Sequence, residues 1–440
     1  MTMAADKQDK VLNVPNKREQ SQTCLNSVER KGLRQKGNVP TLRFPEYVGE
    51  WKKHTLGEMG NGLIGLTYSP AEVVGEGGTI VFRSSNIQNG EISYDDIIRV
   101  NKNIKDNIIT RKGDLLICAR NGSTRLIGKN ALISDEDTGQ TFGAFMLVYR
   151  SNENQFIHKL LNTKKYTTQV SENLGARINQ ITSANLSEFE FYFPQTKAER
   201  DKIAKFLNLV NERIKTQSKI IEKLQSLITA LNNYLMDNHS WEKVRVGDFM
   251  DFYSTNSLSW EQLDYEFGKV KNLHYGLIHS GLPTLIDCCL CSLPNIKNGF
   301  LPKQYTLCED GDVAFADASE DTNEVGKAVE IYHCREQSVV CGLHTIHGRD
   351  NGNATIVGFK GFAFNAKYFH DQLRRISQGS KVYSISTDNV KSCYLRIPPK
   401  SEQEKVVRLL RAYLQKIDIA KQELNAYQTQ KQFLLKAMFV

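Results

Sequence analysis

Three groups of residues in this chain have types that could support catalysis, and each group lacks a part that its chemistry requires. Gly122 and Gly128-Lys129 are similar to a phosphate-binding loop, but five residues instead of four separate the glycines, and Asn130 stands where a serine or threonine must reach magnesium. A second copy of the segment retains Gly326-Lys327 but has Glu320 at the first glycine. The pattern therefore predicts a structural turn.

The second group could bind zinc, and the third could act as a general acid or base. The zinc candidates are Cys288, Cys289, Cys291, Cys308 and His274, which do not form the two Cys-X-X-Cys pairs typical of a zinc site. His344 and His347 lie three residues apart in a strand-like run without a carboxylate pattern, which favours a surface or core role. The sequence also has no Gly-X-Ser-X-Gly elbow and no Asn-Pro-Pro-Tyr or Asp-Pro-Pro-Tyr segment. We therefore expect a binding protein with no catalytic residue, metal or cofactor of its own.

Polar and basic side chains near glycine turns are candidates for nucleic-acid contacts. Arginine matches the guanine edge, and asparagine and glutamine match the adenine edge. Residues 111–129 carry a net charge of +4, whereas the equivalent residues 309–327 carry −6. Residues 158–180 and 367–381 carry +3 each. The candidate DNA-binding residues are Arg83, Ser84, Asn86, Arg120, Asn121, Arg125, Arg177, Asn179, Gln180, Arg374, Lys381, Tyr383 and Ser384.

Each of these residues has an alternative interpretation as part of an ordinary solvated loop. We expect Arg177→Ala and Lys381→Ala to lower DNA affinity in an assembled complex. Unchanged DNA affinity in both variants would contradict the placement of Arg177 and Lys381 at the DNA interface.

An internal repeat places these residues in equivalent elements. Trp51 to Leu56-Gly57-Glu58 recurs as Trp241 to Val246-Gly247-Asp248, and Ile127-Gly128-Lys129 recurs as Val325-Gly326-Lys327. Further pairs follow in the same order, including the Asn-Gly turns at residues 89–90 and 298–299. The ordered matches predict a duplicated chain, since repeats of this kind mark equivalent structural units.

Within the copies, short runs rich in Val, Ile, Phe and Tyr between Gly and Asn turns predict strands, namely Thr79–Phe82, Asp114–Ala119 and Glu188–Phe193. A helix is predicted over Gln155–Val170 and, as its counterpart, over Asn365–Ile376.

Each copy is followed by a long segment whose apolar residues step by four and three, the spacing typical of a coiled coil. In the first segment the predicted seam contains Ile203, Leu207, Val210, Ile214, Ile221 and Leu224. In the second it contains Val406, Leu410, Tyr413, Ile417 and Leu424, displaced by 203 residues. Gln217 and Lys431 interrupt the two seams and would favour one register. We predict that the two helices pair antiparallel; two helices packed separately on their own domains are the alternative.

The length and composition fit this organisation. The chain has 440 residues, of which 40% are hydrophobic and 24% charged, with a net charge of +8. Nine scattered cysteines favour reduced thiols, and the absence of a long apolar run predicts a cytoplasmic protein without membrane contact. The predicted fold class is α+β, with two homologous mixed α/β domains joined and separated by the helices about an approximate two-fold axis. The expected domains are a polar tail, 1–38; domain 1, 39–196; helix 1, 197–238; domain 2, 239–399; and helix 2, 400–440.

The segment from Arg43-Phe-Pro-Glu to Trp51, the Gly-Asp and Gly-Lys turns, and the Pro194 and Pro398 entries into long helices resemble specificity subunits of type I restriction–modification systems. The resemblance covers residues 39–440. It implies that each domain recognises one half of a split, asymmetric DNA site and that the helices fix the gap. It also implies two partner modification subunits that methylate adenine with S-adenosylmethionine, and optional restriction subunits with motor and nuclease activity.

Two other functions remain open at this point. A duplicated coiled-coil scaffold could bind proteins without DNA, and an enzyme with a zinc site around Cys288–Cys308 could have escaped notice. A metal assay separates the enzyme from the other two. Salt-dependent binding of duplex DNA by a complex with a methyltransferase separates the specificity subunit from the scaffold.

Overall fold

A computed structural model describes residues 37–174, 179–334, 337–379 and 381–440. The chain divides into two compact units: unit 1 comprises Met1–Lys215 and Asn425–Val440, and unit 2 comprises Thr216–Leu424.

Unit 1 contains twelve described strands. Two four-stranded sheets form its centre, with orders β2-β11-β8-β9 and β10-β4-β7-β3. The strands are β1 (Lys52–Thr55), β2 (Asn61–Ile64), β3 (Val73–Val74), β4 (Thr79–Phe82), β5 (Ile87–Gln88), β6 (Glu91–Ile92), β7 (Ile98–Val100), β8 (Leu115–Cys118), β9 (Asn130–Leu132), β10 (Thr141–Phe142), β11 (Met146–Arg150) and β12 (Glu190–Phe193).

Unit 2 repeats this arrangement and adds a strand at one sheet edge. Its main sheets have the orders β14-β23-β19-β21-β17 and β15-β18-β16-β22. The strands are β13 (Glu242–Arg245), β14 (Met250–Tyr253), β15 (Leu263–Asp264), β16 (Lys271–Leu273), β17 (Leu285–Asp287), β18 (Asn295–Ile296), β19 (Val313–Ala316), β20 (Ala318–Ser319), β21 (Ala328–Tyr332), β22 (Val339–Cys341), β23 (Thr345–Asp350), β24 (Tyr383–Ser384) and β25 (Tyr394–Ile397).

Short helices cover the sheets, and one long helix follows each globular part. The α-helices are α1 (Leu56–Met59), α2 (Asn154–Leu160), α3 (Lys164–Asn173), α4 (Ser183–Glu188), α5 (Lys197–Met236), α6 (Val246–Phe249), α7 (Tyr275–His279), α8 (Phe359–Phe364), α9 (Lys367–Ile376), α10 (Thr387–Ser392) and α11 (Lys400–Ala437). The sequence predicted one helix over residues 155–170, and the structure breaks it after α2. Thr163, whose backbone is extended, begins the new helix α3.

The two units share their turns and their strand register. β1 pairs antiparallel with β12, and β13 pairs antiparallel with β25 in the matching register. The amides of Gly128 and Gly326 each donate to the carbonyl at the end of the central strand, at 2.9 Å. Both glycines have φ in the left-handed region, at 85° and 75°, which other residues adopt with strain. Gly128-Lys129 leads into β9 rather than a helix, so it forms a hairpin turn and no phosphate cradle.

A buried polar side chain ties the start of each long helix to its globular part. Glu199 of α5 accepts hydrogen bonds from Arg43 Nε at 2.7 Å and from Trp51 Nε1 at 3.2 Å. In α11, the buried Gln403 accepts from the amide of Ile356 at 2.8 Å and donates to the carbonyl of Pro398 at 2.9 Å. Because buried polar groups need partners, these contacts fix where each helix leaves its sheet.

Within each unit the two long helices run antiparallel. In unit 2, Gln217 of α5 donates to the carbonyl of Ala420 and to Glu423, both at 3.0 Å. The later α5 residues Leu231 and Leu235 pack in one core with Val406 and Leu410. In unit 1, Ile203 and Leu207 share a core with Leu434 and Met438 of α11, and Arg213 donates to Tyr427 Oη. The predicted fold class, two homologous α/β units with paired long helices, is confirmed.

The predicted seam residues lie on the inner faces of the helices. Six are buried, namely Ile203, Leu207, Ile221, Val406, Leu410 and Ile417. The half-buried members are Val210, Ile214, Leu224, Tyr413 and Leu424. Neither α5 nor α11, nor any other helix in the described part of the chain, combines the length and apolar character needed to cross a membrane.

Candidate nucleic-acid interface

The loops that follow the central strand of unit 1 meet at one edge of the sheet. After β8, the amides of Ala119 and Arg120 both donate to the carbonyl of Phe145 at 3.0 Å. Ile181 donates to the carbonyl of Ala119 at 2.8 Å, and Gln180 forms a β-bridge with Arg120. Three loops far apart in sequence therefore present their side chains together.

These loops form a surface that we call face 1, consisting of Ser84, Arg120, Asn121, Phe145 and Gln180. The Arg120 guanidinium carbon lies 5.1 Å from the centre of the Phe145 ring, which is 59% exposed. Asn121 Nδ2 donates to Ser84 Oγ at 3.0 Å. Among the described residues no carboxylate lies within ion-pair distance of Arg120. Face 1 therefore offers a cation on an exposed aromatic ring beside amide groups, a combination that suits nucleotides.

Unit 2 builds the same surface from the equivalent residues, which we call face 2: Tyr275, Ala318, Ser319, His344 and Ser384. The amide of Asp317 donates to the carbonyl of His344 at 3.1 Å, and that of Ile385 donates to Asp317 at 2.9 Å. Ala318 pairs with Ser384, as Arg120 does with Gln180. The backbone arrangement, which we call the frame, is therefore the same in the two faces, while the side chains differ at every position.

Aromatic rings, imidazoles and carboxylates surround face 2. His344 Nδ1 lies 3.0 Å from Asp317 Oδ1, and the His344 ring lies 5.1 Å from that of Tyr275. Tyr275 also lies 5.9 Å from the ring of His279, whose Nδ1 is 3.7 Å from Glu324.

The charges on face 2 favour contacts with base amino groups. Burial and the nearby charge of His344 lower the pKa of His274, which favours its neutral form. Asp317 and Glu324 could accept from amino groups such as cytosine N4. Face 2 therefore suits base edges better than phosphates.

The placement of Asn86 on the DNA-binding surface was wrong. Its side chain is fully buried, its oxygen accepts from the amide of Arg83 at 2.8 Å, and its nitrogen donates to the carbonyls of Ser93 and Asp96. Its amide oxygen and its amide nitrogen thus both hold the turn after β4. Arg83 is half-buried and forms an ion pair with Asp96 at 2.8 Å.

The other candidates are spread over the surface of their units. Arg125 is exposed in the turn that follows face 1, and Asn179 is exposed beside Gln180. Arg177 lies outside the described residues. Lys381 is exposed next to β24, where Tyr383 is half-buried opposite Ser319.

Arg374 of α9 is tied into a local charge network. It lies 3.8 Å from Asp371, whose pKa is lowered by its hydrogen bond to Lys367. These charges favour the ionised carboxylate and moderate the positive charge of α9.

The sequence interpretation missed Phe145, His344 and Tyr275. The ungapped repeat alignment, which sets Gly326 opposite Gly128, places Leu343 rather than His344 opposite Phe145. The equivalence of Phe145 and His344 is visible only in their backbone hydrogen bonds to the residue after the central strand. Phe145 and His344 are exposed at equivalent positions, and Tyr275 is half-buried beside His344.

Comparisons with known proteins agree with this architecture. Residues 49–226 and 359–427, which are more than half of the chain, match the family described as type I restriction modification DNA specificity domain. No curated protein sequence matches the chain.

Two solved structures share the fold. A crystal structure of the type I restriction–modification S subunit from M. genitalium covers 91% of this chain, and 99% of that protein is matched, at a TM-score of 0.52 and 18% identity. A chain from a study of complex assembly and conformational transition in the type I system covers 90% of this chain, and 98% of that chain is matched, at a TM-score of 0.56 and 15% identity. At these identities the likeness concerns the fold.

Proposed function

Because this chain belongs to the family of type I restriction modification DNA specificity domains, we propose that it recognises a split, asymmetric DNA site, with unit 1 reading one half and unit 2 the other. The family match supports sequence-specific DNA recognition as the general activity. The division between the units is the finer part of the proposal.

The observation that carries this division is the pair of equivalent faces. Face 1 and face 2 are built on the same strand ends and the same backbone hydrogen bonds. Their side chains differ in charge and hydrogen-bonding type, with Arg120 and Phe145 replaced by Ala318 and His344. A duplicated frame with two unlike surfaces is what an asymmetric bipartite site requires, because each half presents a different base sequence.

The long helices are proposed to set the distance between the two half-sites. α5 has 40 residues and α11 has 38. At 1.5 Å per residue, each helix is nearly 60 Å long. Half-sites one turn of DNA apart are about 34 Å from each other, which is within that reach.

The chemistry is proposed to reside in partner subunits. Two modification subunits would dock on this chain and methylate adenine with S-adenosylmethionine, and restriction subunits could join them in the cytoplasm. This chain would supply no catalytic group and hold no S-adenosylmethionine. Methylation requires a flipped base, so a reader that grips the flanks of the site would aid the reaction.

The test is to map methylated adenines in DNA exposed to the complex of this chain with its modification subunits. We expect modification at one interrupted motif with two unlike halves. Arg120→Ala should relax one position within a single half, with a loss of roughly 1–3 kcal/mol for the cognate base.

A matched control is Arg111→Ala. Arg111 is also exposed, but it precedes β8, whereas Arg120 follows it. Its removal should leave the motif unchanged. A complex that retains its partners and ignores duplex DNA would contradict the proposal and favour a protein-binding scaffold.

A further inference from the structure

Three side chains with soft or borderline metal-binding atoms meet in the core of unit 2. One ligand atom each from Cys308, Cys341 and His347 lies within 4.8 Å of the other two, and all three residues are buried. The Cys308 and Cys341 sulfur atoms are 3.7 Å apart. Two thiolates on a tetrahedral zinc ion, at about 2.3 Å each, would be about 3.8 Å apart. The observed spacing therefore suits a shared ion.

The three residues come from separate segments, which is why their spacing in sequence predicted no metal site. Cys308 precedes β19, Cys341 ends β22, and His347 lies in the middle of β23. Of the zinc candidates named from the sequence, Cys308 belongs to this group of described residues. His274 does not, and its Nδ1 accepts from the amide of Gly276 at 3.1 Å.

The duplicated chain supplies an internal reference for this cluster. The equivalent residues of unit 1 are Thr110, Phe142 and Val148. Phe142 and Val148 are fully buried, so these are core positions in both units. A core needs no histidine at such a place, and unit 2 has a metal-binding side chain at all three positions together.

His347 is oriented in the way that metal-binding histidines are. Its Nε2 lies 2.7 Å from Asp312 Oδ2, and Asp312 is held in turn by Arg349 Nε and Nη2, both at 2.8 Å. Its Nδ1 is buried and has no hydrogen-bond partner among the described residues. A carboxylate behind one ring nitrogen sets the tautomer and leaves the other nitrogen with its lone pair for a metal.

We propose that Cys308, Cys341 and His347 bind a zinc ion in unit 2. On binding, both thiols lose their protons to solvent, and the fourth position of the ion is left for water. The site would join β22 and β23 to the loop before β19, and it stabilises unit 2 independently of the proposed DNA recognition. Thiolate and imidazole ligands select zinc over magnesium or calcium, which prefer oxygen.

The experiment measures metal in the full-length chain purified under reducing conditions. We expect one zinc per chain, released when a mercurial reagent modifies the thiols. Replacement with Co²⁺ should produce a near-ultraviolet thiolate-to-cobalt band together with visible bands of tetrahedral intensity. Cys341→Ser and His347→Val should lose the zinc, and His347→Val introduces the residue that unit 1 tolerates at this position.

The matched control is the double variant Cys288→Ser and Cys334→Ser. These cysteines also lie close together in the core, with sulfur atoms 3.5 Å apart, but they are outside the three-ligand group. This variant should retain the zinc and the cobalt spectrum.

Two outcomes would overturn the proposal without depending on whether a variant folds. One is a wild-type chain that contains no zinc and gives no thiolate-to-cobalt band. The other is a disulfide between Cys308 and Cys341 in the chain isolated with its thiols trapped. Retention of zinc by Cys341→Ser together with its loss from the control would also contradict it.

Discussion

Units 1 and 2 have the same frame and different surfaces. Both use a left-handed glycine to close the hairpin after the central strand, and both bridge that strand to a distant loop. At the edge so formed, unit 1 presents an arginine on an exposed phenylalanine, and unit 2 presents histidines paired with carboxylates. The duplication thus preserved the backbone contacts that build the edge while the side chains on it diverged.

A buried ion pair shows both the shared frame and its divergence. Asp114 receives two hydrogen bonds from Arg150, and Asp312 receives two from Arg349, at equivalent positions. In unit 2, however, His347 also contacts Asp312. One unit therefore holds its buried carboxylate with hydrogen bonds from a single cationic side chain, and the other adds a contact from an imidazole.

The largest expected effect follows from this difference. Arg150→Ala leaves Asp114 buried without a cation, which should destabilise unit 1 by about 3–5 kcal/mol. Arg349→Ala should destabilise unit 2 by less, because His347 remains on Asp312. Hydrogen exchange measured through denaturant titration would resolve the two units. Equal losses in both variants would show that His347 does not compensate.

A second comparison concerns the helix that covers each sheet. α2 of unit 1 carries His158 and Lys159, and both are buried. At the offset of 203 residues that relates the long helices, the equivalent residues in α8 of unit 2 are Gly361 and Phe362. Burial, with smaller contributions from Lys159 and Lys431, lowers the pKa of His158 to about 3. Burial also lowers the pKa of Lys159 to about 8.

Unit 1 should therefore lose stability on mild acidification. In the unfolded chain His158 binds a proton below pH 6.5, whereas in the folded chain it stays neutral until about pH 3. From pH 6.5 to 5 the free energy of unfolding should fall by about 2 kcal/mol on account of this group. The measurement compares the pH dependence of unfolding for wild type and His158→Gln. Parallel curves would contradict the assignment.

The divergence of the faces predicts a smaller, localised effect on DNA recognition. His344→Ala should weaken binding about tenfold, near 1.4 kcal/mol, and relax one position in the half-site of unit 2. The half-site of unit 1 should be read as before. Binding to sets of duplexes with single substitutions would measure this, and a uniform loss across all sequences would place His344 on phosphate instead.

The smallest expected effect is at Lys381, which is exposed beside β24. If Lys381 contacts phosphate, Lys381→Ala should lower the affinity for DNA of every sequence alike, by severalfold at low salt. It should also lower the slope of log affinity against log salt by about 0.9. A titration with sodium chloride on specific and nonspecific duplexes tests this. An unchanged slope would contradict a phosphate contact by Lys381.

Much of the fold was predictable because its signals are local and repeated. The seams over α5 and α11 follow from apolar spacing, and the ordered matches between the copies predicted the duplication. Strand β4 was predicted with its observed bounds, Thr79–Phe82. The break between α2 and α3 was missed, because helical periodicity continues across it.

The sequence by itself determined the duplication, the paired helices and the family, since these depend on spacing along the chain. Only the tertiary structure decided which polar residues are free to contact DNA or to bind a metal together. It buried Asn86 in a turn, and it placed Arg120 on Phe145 and Cys308 beside Cys341 and His347. The physical reason is that hydrogen-bond satisfaction and burial depend on loops and strands brought together from distant segments, and residue type does not encode those partners.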